Sequence, residues 1–136
     1  MKKFIVSVFF CTLSVVAHAD SDGREFLGEW LVTLSPPDTM FDIRRNGEIF
    51  IVRETWCNFV RDTPETATLV GDFRNGVLKA VRPGGEASFV LDRATGHLNF
   101  GGLEFAKMPS GSSFPSSSST CTLEFSKLSK TLRGTK

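Results

Sequence analysis

Short runs of alternating apolar and polar residues, divided by turn residues, fill the chain from residue 27 to residue 108. Alternation with a period of two places successive side chains on opposite faces of a strand. Asn46-Gly47 and Asn75-Gly76 each lie between such runs, and Asn-Gly is the strongest short-range signal for a β-hairpin. The pattern predicts about eight short strands. A helical period is a candidate only over residues 123–132.

Both Asn-Gly hairpins have a predicted register, because a two-residue turn fixes which residues lie opposite one another. In the first hairpin the predicted pairs are Arg45 with Glu48, Ile43 with Phe50, and Phe41 with Val52. In the second they are Arg74 with Val77, Phe73 with Leu78, and Asp72 with Lys79. The first hairpin thus has an apolar face, and the second has an apolar pair on one face and an opposite-charge pair on the other.

Strands joined by short connections usually pair as neighbours. A meander of this many strands hides its edges best by closing into an up-and-down barrel. We therefore predict an all-β fold, a small antiparallel up-and-down meander of about eight strands that is closed or nearly closed. A β-sandwich is the alternative.

The first predicted strand contains Gly28-Glu29-Trp30, which resembles the Gly-x-Trp signature that opens lipocalins and related calycin barrels. Residues 91–98 and 102–105 resemble the last hairpins of small lipocalin-like bacterial exported proteins. The resemblance covers residues 27–108. It implies a lipocalin-like barrel with Trp30 packed across one end, and it implies a carrier of a small apolar ligand.

The N terminus has the anatomy of a secretory signal peptide. Lys2 and Lys3 precede an apolar run over residues 4–16, and Ala17-His18-Ala19 forms a small-x-small cleavage site. We predict a signal peptide at residues 1–19 and a periplasmic or secreted protein whose barrel domain spans residues 20–108.

The charge balance argues against a nucleic-acid partner, and the hydropathy argues against a transmembrane anchor. The chain has 16 Lys and Arg against 15 Asp and Glu, a near balance that argues against a nucleic-acid partner, since phosphate binding needs concentrated basic charge. No second apolar segment approaches the length that spans a bilayer, so no transmembrane anchor is expected.

Cys57 and Cys121 remain once the predicted signal peptide is removed. An even pair in an oxidising compartment predicts a disulfide, and the alternative is two unrelated buried thiols. Residues 109–120 are rich in Ser, Gly and Pro and are predicted to be a linker. Residues 121–136 are predicted to be a C-terminal tail that returns to the barrel and is held by Cys57, with a disordered C terminus as the alternative.

Residues that could carry chemistry are scarce. His97 is the one histidine outside the signal peptide, and neither a Gly-x-Ser-x-Gly elbow nor a glycine-rich phosphate loop is present. No second His or Cys lies at metal-ligand spacing from either cysteine. We therefore expect no enzyme, with no catalytic residue, no metal and no cofactor.

Two features break the strand pattern. If Phe50, Val52 and Trp56 point inward, then so does Glu54, which would anchor a ligand at the floor of a pocket or lie in solvent where the strand bulges or ends. Apolar residues also lie on the predicted outer face. The candidate partner patch there comprises Ile49, Ile51, Arg44 and Arg53, with Val70 opposite Val81 on the second hairpin. An extended tail around Leu123 and Phe125 is the other explanation, because it could cover these residues.

Two functions follow from this reading. The first is a non-catalytic exported module that docks another exported or envelope protein, as an inhibitor or immunity-type protein would. The second is a carrier of a small apolar ligand. The candidate ligand or core residues are Trp30, Phe41, Phe50, Glu54, Trp56 and Phe89. An internal cavity of several hundred cubic ångströms favours the carrier, and a solid core with an exposed patch favours docking.

Overall fold

The computed structural model of the protein describes residues 22–112 and 120–134. The predicted signal peptide and most of the predicted linker lie outside the described residues. A short 3-10 helix, Arg24–Phe26, precedes eight strands and one α-helix in the described chain. The strands are β1 Gly28–Val32, β2 Thr39–Asn46, β3 Ile49–Asn58, β4 Thr63–Arg74, β5 Val77–Arg82, β6 Gly85–Leu91, β7 Leu98–Phe100 and β8 Leu103–Lys107, and the helix is α1 Cys121–Gly134.

The strands form a closed antiparallel barrel in which each strand pairs with the next along the chain. β8 returns to β1, with Lys107 opposite Trp30 and Ala106 opposite Leu31, so the sheet has no free edge. The predicted all-β up-and-down barrel is confirmed. The β-sandwich alternative is wrong, because one sheet closes on itself.

The registers of the two Asn-Gly hairpins turn out differently. The β4–β5 pairs are those predicted, and Asn75 and Gly76 both have positive φ, as a type I′ turn requires. In the β2–β3 hairpin the turn is Gly47-Glu48, so Ile43 lies opposite Val52 instead of Phe50. Gly47 alone has positive φ there, which is the pattern of a type II′ turn. The predicted register was therefore wrong by two residues, a slip that keeps every side chain on its predicted face.

Aromatic side chains fill the barrel. Phe41 is fully buried, and its ring centroid lies 5.0 Å from that of Phe89, 5.2 Å from that of Phe100 and 4.9 Å from that of Phe105. Phe89 and Phe100 stack at 4.7 Å. An eight-stranded barrel is just wide enough for side chains to fill it. These four rings occupy the space that a ligand would need.

The 3-10 helix closes one end of the barrel. Its Phe26 packs against Phe73 with 5.7 Å between ring centroids, and the Phe26 carbonyl accepts a 2.9 Å hydrogen bond from Nε1 of Trp30. Nζ of Lys107 lies 5.4 Å from the Trp30 ring centroid, within cation–π distance. Trp30 is therefore buried at this end of the barrel, between the 3-10 helix and Lys107.

The C-terminal segment forms α1 on the outside of the barrel, and the predicted disulfide joins its first residue, Cys121, to Cys57 on β3. The buried face of α1 and the strands beneath it form a second core of Leu31, Met40, Cys57, Met108, Cys121, Phe125 and Leu128. The predicted extended tail is wrong. Cys121, Phe125 and Leu128 are buried at helical spacing while Leu123 is 52% exposed, so the helical period over residues 123–132 prevails over the short alternation.

Truncating the central ring should destabilise the barrel severely. We expect Phe41→Ala to lower the free energy of unfolding by about 3–5 kcal/mol, because it removes a fully buried ring and leaves a cavity. Phe59→Ala removes the same ring from an exposed position and should change stability by less than about 0.5 kcal/mol. Urea unfolding followed by circular dichroism measures both. Equal losses would contradict the assignment of Phe41 to the core.

Removing the disulfide should have a large effect as well. The bond joins residues separated by 64 positions, for which the chain-entropy model gives about 4 kcal/mol. The double variant C57S/C121S should therefore have a free energy of unfolding, measured in urea, that is lower than that of the wild type by most of this amount. Titration of two free thiols in the oxidised wild-type protein would show that the bond does not form.

The β6–β7 turn predicts one acid-sensitive group. Oδ1 of Asp92 accepts hydrogen bonds from the backbone N–H groups of Ala94, at 2.9 Å, and Thr95, at 3.4 Å. These bonds, that of Ala94 above all, hold the pKa of Asp92 below its ordinary value of 3.8. The stability that Asp92 contributes is therefore present above 3.8 and lost as the pH falls through the lowered value. An NMR titration should give a midpoint below 3.8 for this carboxyl, and a higher midpoint would refute the turn geometry.

Candidate functional site

The open end of the barrel lies opposite the 3-10 helix. Turns of an up-and-down barrel alternate between its two ends, so the connections after β1, β3, β5 and β7 share the end far from the helix. A depression of about 530 Å³ lies there, which we call the mouth. The residues around it that matter below are Asp38, Glu54, Trp56, Phe59, Leu69 and Arg82.

The β3–β4 connection, residues 59–62, carries two exposed apolar side chains. Phe59 is 69% exposed and Val60 is 95% exposed, and Phe59 also lines the mouth. A single exposed apolar residue needs no explanation. Two adjacent ones at the tip of a hairpin, where polar turn residues are usual, are a departure from the expected pattern. We call residues 59–62 the tip.

Side-chain hydrogen bonds from Asn58 hold the tip on its strand side. Oδ1 of Asn58 accepts from the backbone N–H groups of Val60, at 3.1 Å, and Arg61, at 3.3 Å. Nδ2 of the same residue donates to Oε1 of Glu65 at 2.6 Å. A short polar side chain that binds backbone in this way fixes a turn. The backbone that presents Val60 is therefore tied to both strands of its hairpin.

Helix α1 holds the tip from the other side. Oδ1 of Asp62 accepts from the backbone N–H of Thr122, at 3.1 Å, and from its hydroxyl, at 2.9 Å. The Asp62 carbonyl accepts from the N–H of Cys121 at 3.2 Å. Acceptors at a helix N terminus satisfy donors that have no partner within the helix. Together with the Cys57–Cys121 disulfide, these bonds fasten the tip to α1.

The mouth combines apolar walls with charge. Glu54 lies on the inner face, because it is opposite the fully buried Phe41 across the β2–β3 ladder. It is half-buried, and no ion pair or hydrogen bond joins its carboxylate to the residues that the structure describes. Arg82 is the cationic side chain that lines the mouth together with Glu54. Its guanidinium carbon instead lies 5.7 Å from the ring centroid of Phe100.

The predicted ligand or core residues separate into two groups. Trp30, Phe41, Phe50 and Phe89 are buried in the main core. Glu54 and Trp56 line the mouth. The inward direction of Glu54 follows the strand alternation, and its half-buried state reflects its position near the open end.

The predicted partner patch lies on the outer face, away from the mouth. Ile51 is opposite Arg44 on β2 and Val70 on β4, and Val70 is opposite Val81, which is 71% exposed. The explanation that the tail covers these residues is wrong, because α1 lies over β1–β3 around Leu31 and Met40. We call Ile49, Ile51, Val70 and Val81 the outer patch.

Charges around the outer patch are largely paired. Arg44 donates from Nε to the carboxylate of Asp42 at 3.0 Å, and Nζ of Lys79 lies 3.2 Å from Glu86. The hydrogen bond to Asp42, followed by their electrostatic attraction, raises the pKa of Arg44. Arg53 is exposed and has no ion pair within the described part of the chain. The patch is thus aliphatic with a mostly neutralised rim.

The tip lies outside the predicted site residues. Asn58-Phe59-Val60-Arg61-Asp62 contains the signal, because it places two apolar residues inside a run of turn-forming polar ones directly after Cys57. Strand alternation alone gives no prediction for the connection between β3 and β4. Its significance depends on α1, whose contact with Asp62 the linear sequence does not reveal.

Residues 22–112 and 120–134 contain few clusters of the side chains that form metal or catalytic sites. They contain no group of three His, Cys, Asp or Glu that could hold a metal ion. None of their helices has the length and apolar character needed to cross a membrane. Nδ1 of His97 lies 3.1 Å from Oε2 of Glu104 in a surface contact beside the β6–β7 turn.

The chain was compared with protein-family models, curated proteins and solved structures. No protein-family model, curated protein or solved structure matches the chain.

Proposed function

We propose that this protein is an exported, non-catalytic docking module that binds another envelope or exported protein through the tip. The observation that carries the proposal is the pair Phe59 and Val60, which are exposed at 69% and 95% on a turn held by a disulfide and by hydrogen bonds on both sides. An inhibitor or immunity-type protein of an exported enzyme would act in this way. Export itself rests on the pattern of residues 1–19 and on the disulfide.

Preorganisation explains why a braced apolar tip favours binding. Association costs free energy when loops and side chains must be ordered at the interface. The bonds from Asn58 and Asp62 order the tip before any partner arrives. An aromatic side chain that enters a pocket of the partner contributes much of the energy at a typical interface hot spot. Phe59 has the chemistry and the exposure for that role.

The filled interior supports docking over transport. A carrier of an apolar ligand needs an empty lumen. In the barrel the Phe41 ring contacts those of Phe89, Phe100 and Phe105, and Phe89 stacks on Phe100. A carrier of a small ligand is the second candidate. It is favoured by the volume of the mouth, about 530 Å³, which falls in the size range of small-ligand sites. Its lining includes Asp38, Glu54 and Arg82, which disfavours a purely apolar ligand.

Substitution of the tip should separate docking from other modes of action. We expect F59S/V60S to retain the wild-type fold, because both side chains are exposed, and to lose at least about tenfold in partner capture, since an aromatic anchor contributes about 2 kcal/mol or more. The measurement is quantitative co-purification from the envelope fraction after crosslinking, with lipid extraction of the same material.

Val81→Ser is the matched control, because it replaces an apolar residue that is 71% exposed on the outer patch. Capture that survives in V81S and disappears in F59S/V60S supports docking through the tip. The reverse pattern would move the interface to the outer patch. Stoichiometric lipid in the purified protein would favour the carrier and contradict the docking proposal.

A further inference from the structure

The mouth has features that the tip alone does not explain. Beside Phe59 its lining includes Trp56 and Leu69, which give it apolar walls, and two carboxylates, Asp38 and Glu54, against the single guanidinium of Arg82. A depression with apolar walls and an excess of negative charge is complementary to a cation carried on an apolar stem.

The carboxylates of Asp38 and Glu54 differ in their hydrogen bonds to neighbouring residues. Oδ1 of Asp38 accepts a 3.0 Å hydrogen bond from the hydroxyl of Thr39. Glu54 has no hydrogen bond or ion pair to any residue in the described ranges, although it is half-buried on the inner face. Carboxylates that lose water on burial are stabilised by a cationic or hydrogen-bonding partner. Glu54 is therefore the group in the mouth best placed to receive a positive charge.

Arg82 does not take that position. Its guanidinium lies over the ring of Phe100, with 5.7 Å from the guanidinium carbon to the ring centroid. Phe100 in turn stacks on Phe89 within the barrel. Arg82 is thus held at the rim by an aromatic contact, and the space beside Glu54 and Trp56 stays available to a cation from outside.

We infer that the mouth receives a lysine or arginine side chain of the docked protein, with its alkyl stem against Trp56 and Phe59 and its charge beside Glu54. The inference rests on the proposed function, because the tip and the mouth share Phe59. The tip supplies the apolar anchor, and the mouth selects a partner that places a cationic side chain next to the pocket for that anchor.

The test uses n-butylammonium as a stand-in for the lysine side chain, and 1-butanol as its neutral counterpart. The chain has two tryptophans, so the ¹H–¹⁵N spectrum of the mature protein has two indole signals that Trp56→Phe assigns. Trp30 is buried and bonded to Phe26, which makes its indole an internal reference. We expect butylammonium to shift the Trp56 signal in a saturable way, to leave that of Trp30 unmoved, and to bind more tightly than 1-butanol.

The variants decide the role of Glu54. Glu54→Gln should weaken butylammonium binding by about fivefold or more, the effect of about 1 kcal/mol, and Glu54→Asp should retain most of it. Glu48→Gln is the matched control, because Glu48 is exposed in the β2–β3 turn at the opposite end of the barrel. Equal binding of 1-butanol, no shift at Trp56, or equal effects of E54Q and E48Q would each overturn the inference. The capture experiment with F59S/V60S tests docking through the tip independently of butylammonium binding. A negative result for the cation site would therefore not contradict the proposed function.

Discussion

Closure of β8 onto β1 is the constraint on which the rest of the structure depends. The pairs Trp30 with Lys107 and Leu31 with Ala106 join the ends of the meander, and closure at eight strands leaves an interior that side chains can fill. Phe41 and the three rings around it fill it. A barrel that is solid in its middle can act only through its ends and its outer surface. Because eight strands and a phenylalanine-filled interior leave no lumen in the described barrel, the surfaces available for binding are the tip, the mouth and the outer patch.

Much of the fold was predictable because its determinants are local. Asn75-Gly76 fixes the β4–β5 register through residues that are adjacent in sequence. Gly47 shows the limit of that logic, because the same dipeptide can place its glycine first or second in the turn, and packing across the whole β2–β3 ladder selects one of the two. The tail shows a second limit. The extended-tail explanation rests on the alternation of Cys121, Leu123 and Phe125. The helical spacing of Cys121, Phe125 and Leu128 instead matches an apolar face on β1–β3 that only the folded barrel presents.

The candidate site was less predictable, since it is assembled from distant parts of the chain. Glu54 could be placed on the inner face from the strand period alone. The tip could not be recognised in that way, because its rigidity comes from contacts between Asp62 and Thr122, separated by 60 positions. Cys57 and Cys121 were predicted to bond, but a disulfide inferred from sequence carries no information about what it braces. Here it lies directly beside the two most exposed apolar residues of the β3–β4 connection.

The position of α1 argues that bracing the tip is more than a by-product of covering an apolar face. Leu31, Met40 and Met108 need a cover, and Phe125 and Leu128 supply it further along the helix. Cys121 belongs to the same cluster, so the first turn of α1 contributes to this cover as well. That turn also lies at the open end of the barrel, where Cys121 and Thr122 are joined to Cys57 and Asp62 by a covalent bond and three hydrogen bonds. If these bonds served stability alone, the turn that they hold would have no reason to carry Phe59 and Val60 in solvent, because exposed apolar pairs favour aggregation and add nothing to the core. A disulfide and side-chain hydrogen bonds thus hold the turn that carries two of the three most exposed large apolar side chains in the described residues, an arrangement that is accounted for when the open end is a surface ordered in advance for a partner.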